Sequence, residues 1–275
     1  MRQLYVIGDP VAHSLSPLIQ RAMIRQTGAA YRYDVRTVRP DELADFVVWA
    51  RDGGCAGCNV TMPLKEAIVP LLDEVDGAAA ACGAVNTVCI RAGRAVGHNT
   101  DGDGLLDSLA GQGFDPRGAR VLLLGAGGAA TAVCHALTQA GAARIAVCNR
   151  SVLRAETLAA RYPGCAVAGG LGDLARYAAD SELVVNATSL GMAGCAGFDD
   201  LSFLWAAPCS ATVYDLVYHP RQTALLAAAD GLGLRTVGGI DLLIRQAVRA
   251  FALFTGVEPD TEALYAALRE PLGLE

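Results

Sequence analysis

Four short runs in the first hundred residues carry side chains suited to hydrogen-bonding a small polar molecule. Gly8-Asp9-Pro10-Val11-Ala12-His13-Ser14-Leu15-Ser16-Pro17 sets two hydroxyls at a strand-to-helix junction. Asn59-Val60-Thr61-Met62-Pro63-Leu64-Lys65 repeats the design and ends in a lysine near a helix start. A positive charge is disfavoured there by the helix dipole, so a purely structural role fits it poorly. Gly83-Ala84-Val85-Asn86-Thr87 and Gly97-His98-Asn99-Thr100-Asp101-Gly102 add amides, hydroxyls and a carboxylate at strand ends. Each run has an ordinary alternative: Ser16 as a helix cap before Pro17, Asn86 satisfying a turn, Asp101 as another cap. Four such clusters together point instead to one convergent small-molecule site.

A second set has the spacing of a dinucleotide site. Val121–Leu124 runs into Gly125-Ala126-Gly127-Gly128-Ala129-Ala130, a strand, then G-x-G-x-x-A, then a helix. Gly125 permits the tight turn, Gly127 lets the backbone approach a pyrophosphate, and Ala130 keeps helix and strand close. The helix start supplies N–H groups and positive dipole for phosphates. The second strand ends at Cys148-Asn149-Arg150-Ser151, where an NAD site would carry an acid for the ribose 2′-hydroxyl. No acid is there. Arg150, with Arg154 one helical turn on, offers guanidinium groups for a 2′-phosphate, which favours NADP.

The elements that must position these groups follow from periodicity. Short apolar runs alternate with helical-period segments throughout, the pattern of a parallel or mixed α/β sheet. The spacing predicts strands over Leu4–Ile7, Tyr31–Val35, Cys58–Val60 and Ala84–Cys89, and helices over Pro17–Gln26, Asp41–Arg51 and Leu64–Leu72. A second set of strands is predicted at Ala119–Leu124, Arg144–Cys148, Glu182–Asn186, Thr212–Leu216 and Leu234–Val237. Helices are predicted at Gly128–Ala140, Leu153–Arg161 and Gln222–Ala229, and the Gly/Pro-rich loop Gly111–Gly118 marks a boundary. Asp241–Thr255 reads as a long amphipathic helix, capped by Asp241 and ended by Gly256. Gln246, polar among Leu242, Ala250 and Leu253, suits a ligand contact better than packing.

Composition excludes other classes. The 275 residues carry 22 Lys+Arg against 28 Asp+Glu, a net charge of −6, which argues against a nucleic-acid backbone as partner. Mean hydropathy is +0.34, yet no apolar run approaches the ~20 residues of a membrane span. That hydropathy comes from alanine, about fifty residues, which with 31 glycines favours close packing of helices on sheets. Met1-Arg2-Gln3-Leu4 runs straight into a strand-like segment, unlike a secretory signal. Nine cysteines without a regular framework suggest a reducing compartment, and so the cytoplasm. Cys55 and Cys58 form a C-x-x-C, but no second pair completes it and the four histidines are scattered. The expectation is no metal, with these cysteines as filler.

The motifs H-S-x-S-P, N-V-T-x-P-x-K, G-A-V-N-T and N-T-D-G occur in that order, followed by G-A-G-G-A and N-R-x-x-x-R. Asn186–Met192 then reads N-A-T-S-x-G-M, and Tyr214–Tyr218 reads Y-D-L-V-Y. In these elements the chain resembles the shikimate dehydrogenase family across nearly its whole length. The resemblance implies an α/β fold: an N-terminal mixed-sheet substrate domain and a Rossmann doubly wound NADP domain, with a cleft between them. The substrate domain would be residues 1–101 completed by C-terminal helices 240–275, and the NADP domain residues 102–239. The implied reaction is the reversible, NADPH-dependent reduction of 3-dehydroshikimate to shikimate in aromatic amino-acid (chorismate) biosynthesis.

Carried over residue by residue, the resemblance makes Lys65 and Asp101 the catalytic pair. Ser14, Ser16 and Tyr218 would hold the substrate carboxylate, and Asn59, Thr61, Asn86, Asp101 and Gln246 its ring side. Gly125, Ala126, Gly127, Gly128, Ala129 and Thr188 would line the dinucleotide, with Asn149, Arg150, Ser151 and Arg154 at the 2′-phosphate. Leu216 and Gly239 would contact the nicotinamide side, and Met192 packs nearby or serves the core. Lys65 as ammonium would stabilise the developing alkoxide and protonate it, and as amine would take the proton back.

The chain departs from the family pattern at Ala129-Ala130-Thr131, where relatives often carry Arg or Ser, at Leu242 for Met, and at Gly77, where relatives tend to be acidic. None removes a group the chemistry requires. Two alternatives stand beside the first reading: a quinate/shikimate dehydrogenase of broader substrate or cofactor range, and a non-catalytic NADP-binding sensor. A monomer or a homodimer is expected.

Overall fold

Both sets of strands form sheets in the computed structural model, which describes residues 1–274, and each sheet belongs to its own unit. One unit is Met1–Thr100 with the chain from Ile244 onward; the other is Asp101–Leu243.

The first unit runs β1 (Arg2–Gly8), α1 (Ser16–Thr27), β2 (Tyr31–Thr37), α2 (Leu43–Trp49), β3 (Gly57–Val60) and α3 (Leu64–Ala67). It continues through β4 (Glu74–Val75), α4 (Gly77–Cys82), β5 (Thr87–Arg91) and β6 (Arg94–His98). Its six-stranded sheet has the order β2-β1-β3-β5-β6-β4. β1 is parallel to β2 and β3, whereas β5 lies antiparallel to both β3 and β6. The central strand β3, Gly57–Val60, is buried at every position, as a strand covered on both faces is, whereas edge strand β2 is only partly buried. Ile7, Cys58, Val60 and Val88 pack with α2 residues Leu43, Phe46 and Val47. In another cluster, Leu4, Val6, Tyr33 and Cys89 pack with Ala250 and Phe254.

The second unit runs α5 (Asp101–Gly111), β7 (Arg120–Leu124), α6 (Gly128–Gln139), β8 (Arg144–Cys148), α7 (Val152–Ala159), β9 (Ala166–Gly169) and α8 (Leu174–Ala178). Then come β10 (Leu183–Asn186), β11 (Thr212–Asp215), α9 (Ala224–Gly231), β12 (Arg235–Gly238) and the start of α10 (Gly239–Thr255). α11 (Thr261–Leu272) closes the chain's secondary structure within the first unit. The sheet order is β12-β11-β10-β7-β8-β9 and all pairs are parallel. This is the doubly wound order, with its reversal between β7 and β10, where such sheets bind ligands. Alternation along β7 explains the burial: Val121 and Leu123 join one cluster with Ala130 and Val133, while Leu122 and Leu124 join another with Ala178 and Leu225. The small residues of α6 allow this close approach, and Ala130 is fully buried.

Several expectations are corrected. Ser16 is not a cap: Leu15 holds that position without a side-chain cap bond, and Ser14 Oγ accepts the Ser16 N–H at 3.2 Å. Asp241 is likewise not a cap, because α10 starts at Gly239, directly after β12. The strand expected from Ala84 starts only at Thr87, since Gly83 ends α4 in the left-handed region and Asn86 turns its side chain inward. The helix expected over Leu64–Leu72 is α only to Ala67 and then a 3-10 turn, because Pro70 cannot continue the ladder. The Asp41–Arg51 helix opens as a 3-10 turn over Pro40–Glu42. Apart from these corrections, the two compact units divide at Thr100/Asp101 and, inside α10, between Leu243 and Ile244.

Candidate active site

Strand register explains why four distant runs meet. In the first unit Asn59 lies opposite Thr87, and Thr87 opposite His98, while Val6 and Ile7 lie beside Asn59 and Val60. The end of β3, the start of β5 and the end of β6 therefore form one sheet edge. Thr61 follows that edge, its N–H donating to Ile7 O at 2.9 Å. Lys65, half-buried on α3, accepts the Val85 N–H on its carbonyl at 2.8 Å, which ties α3 to the Asn86 loop.

Side chains at this edge form a directed hydrogen-bond chain. The Tyr33 hydroxyl donates to Asn59 Oδ1 at 2.7 Å. Asn59 Nδ2 donates to Thr87 Oγ1 at 3.0 Å and to Asn86 O at 3.2 Å. Thr87 Oγ1 donates to Asn86 Oδ1 at 3.0 Å, which also accepts the Thr100 N–H at 2.9 Å. Asn86 Nδ2 donates to Thr100 Oγ1 at 3.0 Å, and Thr100 Oγ1 reaches Gln246 Oε1 at 3.5 Å. Burial pushes the Tyr33 phenol well above its usual pKa, which keeps it a donor; the Ser16 side chain bonds the same hydroxyl and works against that rise. Both amide hydrogens of Asn59 are thus taken by protein partners. Ser14, half-buried, sits two residues away and supports the Ser16 backbone.

The second unit holds the dinucleotide motif at its strand ends. Gly125 has φ +114, open only to glycine at low cost, and its N–H donates to Cys148 O at 2.8 Å. A Cβ on Gly125 would stand 3.0 Å from Ala187 O on the neighbouring β10 loop. Gly127 is the N-cap of α6 with no side-chain cap bond, and the space its Cβ would occupy is open. Gly128 and Ala129 form the first turn, whose N–H groups have no intrahelical acceptor. Thr188, on the β10 loop beside Gly125, donates to Asn186 Oδ1 at 2.6 Å. At the end of β8, Asn149 Nδ2 donates to Ser151 O at 3.0 Å, while Arg150, Ser151 and Arg154 are exposed. Neither arginine has an ion-pair partner among the described residues.

At the end of β11 a buried carboxylate, Asp215, joins three segments. Its Oδ1 accepts from Asn186 Nδ2 at 2.8 Å and from the Val217 N–H at 3.0 Å, and its Oδ2 accepts from Thr223 Oγ1 at 2.6 Å. Burial raises its pKa against the opposing pull of those bonds. The loop so held carries Leu216, which touches Gly239, and Tyr218, whose phenol burial also pushes up. Met192 is half-buried on its own loop.

The structure thus gathers Ser14, Ser16, Asn59, Thr61, Lys65, Asn86 and Gln246 within the first unit. Gly125 to Ala129, Asn149 to Ser151, Arg154, Thr188, Leu216, Tyr218 and Gly239 belong to the second, as does Asp101, buried as the first residue of α5. Thr87, Thr100 and Asp215 lie within the motifs but were given no role there, and Tyr33 lies outside them; all four are supporting residues. A polar residue at an inward strand position was the available signal for Tyr33. Cys55 and Cys58 pack in the α2-side core, none of the nine cysteines is in a disulfide, and among the described residues no His/Cys/Asp/Glu group is arranged for a metal.

Fold and sites define a two-unit α/β protein with a Rossmann-type dinucleotide-binding unit. Family models match three stretches: the shikimate dehydrogenase substrate binding domain at 6–88, shikimate/quinate 5-dehydrogenase at 108–192, and the shikimate 5'-dehydrogenase C-terminal domain at 239–269. A shikimate dehydrogenase (NADP(+)) of Geobacter metallireducens is 45% identical over 268 residues, 94% of this chain and 92% of that relative. The shikimate 5-dehydrogenase of Thermus thermophilus, solved with NADP(H) and shikimate, superposes with a TM-score of 0.88 at 36% identity, covering 98% of this chain and 99% of that one. A quinate dehydrogenase of Corynebacterium glutamicum, solved with NAD, gives 0.84 at 33% identity, covering 98% and 99%. The chain belongs to the shikimate dehydrogenase family.

Proposed function

We propose that this chain catalyses the reversible NADP-dependent reduction of 3-dehydroshikimate to shikimate. The observation that carries the reading is the sheet edge where Asn59, Thr87 and His98 align, with Thr61 following it, Lys65 tied by its carbonyl to Val85 beside Asn86, and Asn86 joined through Thr100 to Gln246. In this reading residues 1–101 with 240–275 bind substrate and residues 102–239 bind NADP. The open, uncapped start of α6 suits a pyrophosphate, and two exposed guanidinium groups without an ion pair among the described residues suit a 2′-phosphate. Bound NADPH supplies the hydride.

Lys65 donates a proton to the ketone oxygen as that carbon is reduced, and takes it back in the reverse direction. Asp101 accepts a substrate hydroxyl and orients Lys65. Ser14, Ser16 and Tyr218 hold the carboxylate, and Thr61, Asn86 and Gln246 hold ring hydroxyls. Asn59, whose amide hydrogens are both engaged, orients its neighbours and leaves the ligand to them. Pathway placement in chorismate biosynthesis, a cytoplasmic location and a monomeric or homodimeric state belong to the same proposal.

Turnover assays pairing shikimate and quinate with NADP and NAD test it. Shikimate with NADP is expected to give the highest kcat/KM. A preference for quinate or NAD would establish the broader enzyme instead, and tight NADPH binding without turnover a sensor.

A further inference from the structure

We propose that Tyr33 is a positioning residue for the substrate site, anchoring Asn59 and through it the hydrogen-bond network of Thr87, Asn86 and Thr100. The inference rests on the functional reading above. Tyr33 lies on β2, the edge strand, two strands away from Asn59 on β3. Its side chain is 1% exposed and packs with Leu4, Val6, Val11, Ala250 and Phe254, an environment that phenylalanine would fill equally well. Burying a hydroxyl there is unfavourable unless it is bonded, so the bond it makes defines what it contributes.

That bond completes the set of partners that holds an amide. With Tyr33 on its Oδ1, and Thr87 Oγ1 and Asn86 O on its Nδ2, Asn59 is held at three points. Thr87, having accepted, donates onward to Asn86 Oδ1, and the Thr100 N–H on the same oxygen leaves Asn86 Nδ2 facing Thr100 Oγ1. Thr100 Oγ1 has two acceptors in reach, Asn86 Oδ1 at 3.3 Å and Gln246 Oε1 at 3.5 Å. Main-chain groups orient the two amides, and Tyr33 is the side chain that anchors the buried end of their network. The other end of the same hydroxyl meets Ser16, read above as a carboxylate ligand. One buried phenol thus links the residue for the carboxylate to the residues for the ring hydroxyls.

The test is Tyr33→Phe in the full-length chain, with thermal unfolding measured alongside steady-state kinetics. The KM for shikimate is expected to rise about tenfold, about 1.4 kcal/mol, while the KM for NADP stays within twofold. Asn59→Asp, which keeps the acceptor for Tyr33 and removes both donors, is expected to give the same split. The Tyr33→Phe, Asn59→Asp double variant should be no worse than the poorer single one, because both break one chain. A folded Tyr33→Phe chain with an unchanged shikimate KM overturns the proposal. So does a parallel rise in both KM values, which a merely structural role predicts, or a variant too unstable to assay. A wild-type chain that does not turn over shikimate overturns the functional reading, and this inference with it; an active wild type with an indifferent Tyr33→Phe overturns the inference alone.

Discussion

Gly239, the first residue of α10, lies against the backbone of Leu216: a Cβ on Gly239 would overlap the Leu216 oxygen and stand 2.5 Å from its carbonyl carbon. The obstacle is main chain, so no rotamer change can relieve it. Gly239→Ala is therefore expected to displace either the start of α10 or the Leu216 loop, costing about 1–3 kcal/mol. Because Leu216 is read as a nicotinamide-side residue, the KM for NADP should rise as well. Urea denaturation and NADP kinetics check this; a variant with wild-type values in both would refute it.

Asp215 holds the same loop from beneath. Its two oxygens accept from Asn186, Val217 and Thr223 inside the protein, all at 3.0 Å or less. Asp215→Asn replaces one accepting oxygen by a donor, so at least one partner loses its acceptor. A loss of about 1–3 kcal/mol in unfolding free energy is expected. Thr223→Val removes one of the same donors, and combining it with Asp215→Asn should cost less than the two losses added.

How much of this was legible in the sequence varies with the range of the interaction. Strands β7, β8, β10, β11 and β12 and helices α6, α7 and α9 of the second unit could be read to within a residue or two, because parallel strands buried on both faces are continuous apolar runs such as Val121–Leu124. Gly125 was legible too, since its φ of +114 demands the residue type, and Gly127 by its place in the motif. Other elements were not: β4, β6, β9, α4, α5 and α8 escaped, and β4 has only two residues and little pattern to show. Ser16 and Asp241 misled for a common reason. Both are good capping residues, but Ser14 and the direct β12-to-α10 junction settle those helix starts instead. Tyr33 and Asp215 act through partners 26 and 29 positions away, and no local pattern encodes such a pairing.

His98 and Asp76 make a pH-sensitive link between β6 and the start of α4, at 2.7 Å. The hydrogen bond to Asp76, reinforced by Cys89, raises the His98 pKa to about 9. Burial alone would raise Asp76, but the bonds from His98 and the Ala79 N–H lower it overall. A raised histidine stabilises fully below its unfolded pKa of ~6.5, and that contribution drains as pH climbs through the folded value. The lowered carboxylate contributes above its unfolded pKa of ~3.9 and loses its contribution as pH falls. The thermal midpoint is thus expected to decline from about pH 6.5 to about pH 9 and then level off, and His98→Asn should flatten that decline. An identical slope in the variant would show that other groups cause it.

Arg150 and Arg154 are exposed and have no carboxylate partner among the described residues, so their charge is available to an anionic ligand. A charge-assisted bond to phosphate contributes about 1.5–3 kcal/mol, so replacing Arg150 by Ala should raise the KM for NADP by roughly 10–100-fold. NAD lacks the phosphate, and its KM should move by less than about threefold, about 0.65 kcal/mol. Arg154→Ala should follow the same pattern with a smaller effect, since Arg154 lies farther from the strand end. Equal losses for NADP and NAD would assign the arginines to the dinucleotide in general, and not to its 2′-phosphate.

Lys65 gives the sharpest test of the chemistry. It is the second residue of α3, and its carbonyl anchors that helix to the Asn86 loop. Lys65→Ala keeps that backbone contact and is expected to fold, which thermal unfolding checks. If Lys65 supplies the proton and stabilises the developing alkoxide, its interaction is strongest in the transition state, and its loss falls on kcat. A decrease of about 10²–10⁴-fold is expected for that role, with the shikimate KM nearly unchanged. Asp101→Asn should also lower kcat but raise KM, because Asp101 is read as both orienting Lys65 and accepting a substrate hydroxyl. Full activity in folded Lys65→Ala would remove it from the acid–base pair and move the search for the proton donor to the other polar groups along the same sheet edge.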